Sequence, residues 1–142
     1  PAATFTFGAD GAAVHVDGND LKAPASYTDG DYTLELTEIS KVYGPSYDAT
    51  GNSCIKLGSS KAAGTFKFTV DANVSKVVIY VAGYKGNAGK VTVNGTEYSI
   101  SALSDKGEYT AIEIDTTTVK TITFATVSGT TRCMVDEIEY YA

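Results

Sequence analysis

Residues 90–100 have the sequence KVTVNGTEYSI, which predicts a β-hairpin. Apolar and polar side chains alternate on both sides of Asn94-Gly95. This dipeptide favours a two-residue turn, because both turn residues must adopt positive φ and Asn and Gly do so most readily. A strand that alternates in this way has one face in a core and one face in solvent. The stretch therefore predicts antiparallel β-structure.

The same alternation recurs along most of the chain. Three further segments place apolar residues two apart with polar residues between them: Phe5 and Phe7, Leu34 and Leu36, Phe66 and Phe68. Residues 77–81 are instead apolar at consecutive positions, which is typical of a central strand covered on both faces. No stretch sustains a helical period, and the segment from Gly8 to Asp31 is the least regular. About ten short strands separated by turns predict an all-β fold, a β-sandwich (jelly roll) of two antiparallel sheets.

Length and charge limit the possible partners. The 142 residues have the length of one domain, so we expect a single domain over residues 1–142. Seventeen acidic residues against eleven scattered basic residues give a net charge of −6, which argues against nucleic acid and anionic membranes as partners. The chain has no initiator Met and is rich in Gly and Tyr. We expect a secreted or extracellular module, free or attached to the cell surface.

The usual catalytic groups are scarce. The single histidine, His15, lies between two valines, and no serine lies in a nucleophile-elbow pattern. Zinc sites of the Cys/His type lack ligands, and most acidic residues alternate along strands as outward-facing positions. A glycosidase would require two carboxylates about 5–9 Å apart in a cleft. The sequence therefore predicts a protein that is not an enzyme.

The last strand contains a carboxylate whose direction can be predicted by parity. Met134, Asp136 and Ile138 share one face, and the apolar face belongs to the core, so we expect Asp136 to point inward. A buried carboxylate needs a partner, and calcium binds several oxygen ligands at once. The irregular early segment offers carboxylates for such a site: Asp10, Asp17, Asp20, Asp29 and Asp31. We predict a structural calcium at Asp136, Asp10 and Asp20; a bulge that turns Asp136 outward, or backbone amides that satisfy it, are the alternatives.

The two cysteines, Cys54 and Cys133, are the whole thiol content of the chain. If Ile55 and Leu57 face the core, Cys54 faces outward, and parity gives Cys133 the same direction on the last strand. We therefore predict a disulfide between them, with two buried free thiols as the alternative.

Residues 133–140, CMVDEIEY, resemble the last strand of galactose-binding-like β-jelly rolls, among them carbohydrate-binding modules appended to secreted bacterial glycoside hydrolases. Residues 55–58, 64–68 and 74–79 are similar to the middle strands of such modules. The resemblance implies a non-catalytic module that binds polysaccharide and targets an attached enzyme to its substrate. In those modules the Asp of the last strand often lies at a structural calcium, which corresponds to Asp136 here. This chain has no Trp, so sugar stacking must fall to Tyr.

Tyrosines in turn-rich segments are the candidate sugar contacts. Sugar rings pack their C–H faces on aromatic rings, and their hydroxyls bond with amide, carboxylate and basic side chains. Three segments, at residues 41–52, at residues 83–87 and at residue 132, combine these residue types and can converge at one end of a jelly roll. The candidate ligand-binding residues are Tyr43, Tyr47, Asp48, Asn52, Tyr84, Lys85, Asn87 and Arg132. The expected partner is a polysaccharide or an oligosaccharide, and the module is expected to be tethered to a catalytic domain.

Two alternatives remain at this stage. The chain could be an adhesin-type or structural spacer domain of a bacterial surface protein, in which the tyrosines are scattered or buried. An exposed array of Tyr43, Tyr47 and Tyr84 favours sugar binding over that alternative. Tyr80, on the strand that is apolar on both faces, could instead line a groove for an extended glycan on a sheet face.

Overall fold

The computed structural model describes residues 1–8, 14–15, 24–48, 50–102, 108–127 and 131–142. Within these residues the chain forms thirteen β-strands and one turn of 3-10 helix, Tyr84–Gly86. The strands are β1 (Ala3–Gly8), β2 (Val14–His15), β3 (Ala25–Asp29), β4 (Tyr32–Ser40), β5 (Val42–Tyr47), β6 (Ser53–Leu57), β7 (Thr65–Thr69), β8 (Lys76–Gly83), β9 (Gly89–Val93), β10 (Thr96–Ile100), β11 (Thr110–Asp115), β12 (Thr121–Thr126) and β13 (Cys133–Tyr141). The described part of the chain contains no helix with the length and apolar character needed to cross a membrane.

The strands form two sheets, and the chain crosses repeatedly from one to the other. The first sheet has the order β11-β8-β13-β1-β2. β1 pairs with residues 137–140 of β13, β6 pairs with residues 133–135 of β13, and β5 pairs with β6. The second sheet has the order β10-β9-β12-β7-β4-β3. Apart from the parallel pair β1–β2, the strand pairs described in both sheets are antiparallel. The predicted all-β sandwich of two antiparallel sheets is confirmed.

The core lies between the sheets and is rich in aromatic side chains. Phe5 and Phe7 of β1 are buried on the inner face of the first sheet. Phe66 of β7 faces Phe7 from the second sheet, with 6.4 Å between ring centroids, and stacks on Phe124 at 5.0 Å. Packing both inner faces against each other removes these rings from water, which is the main favourable term for a fold of this kind.

The hairpin predicted at residues 90–100 is present. β9 and β10 pair from Thr96 opposite Val93 to Ile100 opposite Gly89. The turn residues Asn94 and Gly95 have φ of 50° and 84°, which is the conformation that made this dipeptide diagnostic.

The prediction that residues 41–52 form a loop is wrong for its first half. Residues 42–47 form strand β5, which pairs with β6 from Val42 opposite Leu57 to Tyr47 opposite Ser53. The Gly44-Pro45 bond is a cis peptide, and the register shifts between Tyr43 and Ser46 at that point. Pro is tolerated in a strand at such an irregularity because the ladder is already interrupted there. Only residues 48–52 turn the chain back into β6.

The parity predicted for the last strand is also wrong, because β13 contains a bulge. The register against β8 shifts between Val135 and Glu137, which leaves Asp136 as the extra residue. Val135 before the bulge and Ile138 after it both belong to the main core. Asp136 is half-buried and does not point into that core with Ile138. This agrees with the alternative considered above, in which a bulge turns Asp136 outward.

The predicted disulfide is wrong for the same reason. Cys133 lies in the main core between the sheets, whereas Cys54 belongs to a second apolar cluster on the other face of the sheet. Cys133 pairs with Leu57, three residues from Cys54 along β6. Both cysteines are free and buried, which is the alternative considered above. Sulfur atoms on opposite faces of a sheet cannot be joined without rebuilding the strands.

Candidate functional site

A single 3-10 turn after β8 holds the central side chain of the site. β8 ends at Gly83, and the turn begins at Tyr84. Asn87 closes the turn, since its backbone N–H and its Nδ2 each donate to the carbonyl oxygen of Tyr84 at 3.2 Å. A Cβ built on Gly83 would lie 1.5 Å from the carbonyl oxygen of Asn87. Only glycine at position 83 therefore allows the turn to approach the strand this closely.

Three cations surround the ring of Tyr84. The distance from Arg132 Cζ to the ring centroid is 4.8 Å, and the distances from Lys56 Nζ and Lys85 Nζ are 5.2 Å and 5.5 Å. Lys56 Nζ also lies 4.9 Å from the ring centroid of Tyr43. All four distances fall within the range of cation–π attraction. We refer to Tyr43, Lys56, Tyr84, Lys85 and Arg132 together as the cation–tyrosine cluster.

The register of four strands explains why these residues meet. Tyr43 of β5 is opposite Lys56 of β6, Lys56 is opposite Met134 of β13, and Met134 is opposite Ala82 of β8. Residues opposite one another in paired strands share a face, so this row crosses the outer face of the first sheet. Tyr84 and Arg132 each lie two positions beyond a member of the row, at the end of the sheet.

A second apolar cluster supports the site from below. Cys54, Ala82 and Met134 are buried on the outer face of the sheet, and the partly buried rings of Tyr84 and Tyr109 pack against them. The apolar base fixes the ring of Tyr84, because a ring packed on buried side chains cannot swing freely into solvent. The cluster is therefore a supported shelf and not a set of independent surface side chains.

The space beside Arg132 is small. A depression of about 90 Å³ is lined by Tyr84, Asn87, Ala88, Thr131 and Arg132. At about 30 Å³ for a water molecule in the liquid, this is room for roughly three waters. Such a depression has room for a small group but not for a large ligand.

The structure brings together the four predicted residues of the second and third segments. Tyr84, Lys85 and Arg132 lie in the cation–tyrosine cluster, and Asn87 lines the depression beside it. From the first segment only Tyr43 joins them. Tyr47 is 59% exposed and pairs with Ser53, one residue before Cys54, so strand alternation directs it to the other face of the hairpin.

Asp48 and Asn52 belong instead to a polar network that closes the β5–β6 turn. Asp48 is 7% exposed, and its carboxylate accepts hydrogen bonds from the backbone N–H and hydroxyl of Thr50, the backbone N–H of Asn52 and the hydroxyl of Tyr109. Burial by itself raises the pKa of Asp48, but these hydrogen bonds outweigh it and leave the pKa below its usual value. The side chain of Asn52 donates to Asp136. The carboxylate of Asp48 thus closes the β5–β6 turn through these hydrogen bonds.

The residue that the sequence analysis missed is Lys56. Lys56 lies in strand β6, whereas the predicted sugar contacts lie in turn-rich segments. The alternation of β6 contained the signal, since Ile55 and Leu57 face the core and Lys56 must then face outward. Lys56 connects Tyr43 with Tyr84 and so makes one site of two segments.

Tyr80, the candidate for a groove on the sheet face, is engaged within the protein. Its hydroxyl donates to Glu139 Oε1 at 2.5 Å, and the hydroxyl of Tyr141 donates to the same oxygen at 3.1 Å. The bond to Glu139 is the main cause that raises the pKa of Tyr80 beyond its ordinary value. On the sheet face, Tyr80 and Tyr141 are thus both hydrogen-bonded to one carboxylate, whereas the basic side chains of the cation–tyrosine cluster have no ion-pair partner among the described residues.

The predicted calcium ligands are only partly described. Asp136 is half-buried, and burial, with a contribution from the charge of Asp48, raises its pKa although Asn52 donates to it. Within the described residues, no group of three or more His, Cys, Asp or Glu side chains is arranged to hold a metal ion. Asp10 and Asp20 lie outside the described residues, as does Asp17. Calcium thus stays a prediction, with Asp136 as the ligand whose position is known.

Comparison with known proteins gives weak likenesses. No family model matches the chain, and no curated protein matches it. Among solved structures, the catalytic unit of the thermostable GH87 α-1,3-glucanase of Streptomyces thermodiastaticus strain HF3-3 is 18% identical, with a TM-score of 0.42 over 87% of this chain and 26% of the glucanase unit. This chain thus spans about a quarter of that unit. CsCBM6-3 of Clostridium stercorarium, solved in complex with cellobiose, is 20% identical, with a TM-score of 0.39 over 88% of this chain and 98% of that one.

Proposed function

We propose that this domain is a non-catalytic carbohydrate-binding module that holds polysaccharide at the cation–tyrosine cluster. One observation carries the proposal: Lys56 joins Tyr43 of β5 to Tyr84 of the turn after β8, Arg132 lies beside Tyr84, and the ring of Tyr84 packs on a buried apolar base. Rings on a shelf offer C–H contacts to a sugar, and the basic side chains offer hydrogen-bond donors to its hydroxyls.

The shape of the site favours a long glycan over a small enclosed ligand. The depression beside Arg132 is far smaller than the pockets of roughly 300 Å³ or more that bury small molecules. A polysaccharide passing over the shelf would contact the rings through successive sugars and extend beyond them on both sides. Such a module gains its usefulness from tethering, since it raises the local concentration of substrate for an attached enzyme. We include secretion and a tethered catalytic domain in the proposal.

The test is retention on insoluble polysaccharides and affinity electrophoresis in gels that contain soluble ones. We expect the domain to bind at least one glycan. Alanine at Tyr84 should weaken that binding about thirtyfold, because truncating a central aromatic anchor costs about 2 kcal/mol or more. Tyr43→Ala should weaken it in the same direction.

Tyr47→Ala is the matched control, since Tyr47 is an exposed tyrosine of the same hairpin and lies outside the cluster. It should leave binding unchanged. Failure to bind any glycan would overturn the proposal and favour the adhesin-type or spacer alternative. Equal losses in the Tyr84 and Tyr47 variants would overturn the placement of the site.

A further inference from the structure

We infer that the cation–tyrosine cluster selects acidic polysaccharides, through contact between its three cations and a carboxylate or sulfate group on the sugar. The inference rests on the proposed function and names the class of glycan. The charge around Tyr84 is opposite in sign to that of the whole chain. The protein carries a net charge of −6, yet three of its eleven basic residues lie within 5.5 Å of the centroid of one tyrosine ring.

These cations lack acidic partners in the described protein. Elsewhere Lys76 pairs with Glu113 at 3.6 Å, and Lys67 pairs with Glu38 at 3.9 Å. In the described ranges no carboxylate oxygen lies within 4.0 Å of a charged nitrogen of Lys56, Lys85 or Arg132. Three like charges gathered around one ring repel one another, and no carboxylate of the described residues pairs with them to offset that repulsion. An anion supplied by a ligand would relieve that repulsion.

Two of the three cations are also held in position. Lys56 is half-buried and lies between the rings of Tyr43 and Tyr84. The carbonyl oxygen of Arg132 accepts a hydrogen bond from the backbone N–H of Tyr84 at 3.2 Å, while its guanidinium lies over the same residue's ring. A guanidinium fixed in this way presents paired N–H donors, which match the two oxygens of a carboxylate or sulfate.

The space at Arg132 suits a substituent. The depression holds about 90 Å³ and is lined by Asn87 and Thr131 as well as Tyr84 and Arg132. A sugar lying against the edge of Tyr84 would place an acidic group there, next to Arg132. Neutral hydroxymethyl groups fit the same space but leave the three positive charges uncompensated.

Single-stranded nucleic acid is the other anionic polymer that basic and aromatic side chains attract. Nucleic-acid affinity depends on neutralising many phosphates along the strand, and three cations on a protein of net charge −6 provide few such contacts. An acidic glycan needs only one charged group at the site. The balance of charges therefore favours the glycan.

The experiment compares glycans that differ only in charge. Polygalacturonate and the same polymer with its carboxylates methyl-esterified are tested side by side, with a sulfated galactan, a neutral galactan, cellulose and single-stranded DNA as further arms. We expect polygalacturonate or the sulfated galactan to bind at least tenfold more tightly than its uncharged counterpart, since a charge-assisted hydrogen bond is worth about a factor of ten or more. The preference should shrink as salt is raised to about 1 M. The two charged arms show whether carboxylate or sulfate is recognised.

Variants separate charge from fold. Arg132→Gln and Lys56→Gln should each remove most of the preference for the charged glycan, Arg132→Lys should restore part of it, and Lys67→Gln on the second sheet should change nothing. Thermal unfolding confirms that each variant is folded. Equal binding of charged and esterified polymer overturns the inference and leaves the proposed function standing. Binding to no glycan overturns both, and tighter binding to DNA than to any glycan overturns the choice of ligand.

Discussion

The backbone N–H of Tyr84 donates to the carbonyl of Arg132, and the guanidinium of Arg132 covers the ring of Tyr84. The turn after β8 and the start of β13 are thus joined at two points, one through the backbone and one through side chains. Because β8 and β13 are neighbours in the same sheet, this contact continues their ladder past the end of the strands. The position of Tyr84 is therefore set by the fold of the first sheet.

A substitution at Gly83 should displace Tyr84 and so weaken the site. A Cβ at this position would meet the carbonyl of Asn87, so Gly83→Ala must displace the turn that carries Tyr84. We expect a loss of about 1–3 kcal/mol of stability in urea denaturation, as is usual for overpacking, and weakened glycan retention. Gly86→Ala is the control: it lies in the same turn with nothing within 4 Å of the added Cβ, so only its φ of 72° is unfavourable. A Gly83→Ala variant with unchanged stability and retention would contradict this account.

The cysteines should remain free and unreactive. Burial, with smaller contributions from the charges of Asp48 and Asp136, raises the pKa of Cys54 to about 12, and burial likewise raises the pKa of Cys133. Thiolate is the reactive form, so a thiol reagent at pH 8 should label neither cysteine in the folded protein and both in denaturant. Reductant should leave the melting temperature unchanged. A chain whose mass is lower by two hydrogens before reduction would show that a disulfide forms after all.

Much of the fold could be predicted from the sequence because alternation and turn chemistry are local signals. Asn94-Gly95 predicts its hairpin. The buried residues on the strands of Phe5 and Leu34 are predicted because apolar residues recur there at every second position. The bulge at Asp136 could not be predicted, because it arises where β13 changes partner from β6 to β1, and that change depends on strands far away in the chain. One bulge reversed the parity of the strand before it, and the predicted disulfide depended on that parity.

The site was predictable in part, for a related reason. Tyr84, Lys85 and Arg132 lie near strand ends, where turn residues and basic side chains stand out from the pattern. Tyr43 was selected for a loop that proved to be a strand, and it faces the site because of its partner Lys56. Pairing across strands decides which residues meet, and a single sequence does not contain it.

Stability should fall in acid through Asp48. The pKa of Asp48 in the folded protein lies below the ordinary value of 3.8, so its ionised form stabilises the fold above that value, and the contribution is lost as the pH falls through the folded pKa. We expect Asp48→Asn to cost about 1–3 kcal/mol at pH 7, because the neutral amide loses charge-assisted hydrogen bonds. The difference from the parent should shrink below about pH 4. Asp31→Asn, at an exposed turn, should change little at any pH; a pH-independent cost for Asp48→Asn would refute the electrostatic part of the argument.

The calcium prediction can be tested at Asp136. Its carboxylate is half-buried, and its described polar partner is the amide of Asn52, so its negative charge lacks a described cation. Asp136 follows the last pair of the β13–β6 ladder, Val135 opposite Ile55, and its charge acts on the adjacent Cys54. A Cβ on Gly8, the last residue of β1, would lie 2.9 Å from the backbone nitrogen of Cys54. β1 thus ends beside Asp136, and Asp10 follows Gly8 by two residues in the sequence.

If calcium binds there, EDTA should lower the melting temperature of the parent protein and excess calcium should raise it, because a ligand that binds only the folded state stabilises it. Asp136→Asn should abolish both responses, and Asp10→Asn or Asp20→Asn should weaken them. Asp31→Asn again serves as control, since it removes the same charge from an exposed turn at the β3–β4 hairpin. An unchanged melting temperature in EDTA would exclude the site. In that case Asp136→Asn should stabilise the domain at pH 7, because it would remove an uncompensated, partly buried charge without removing a metal ligand.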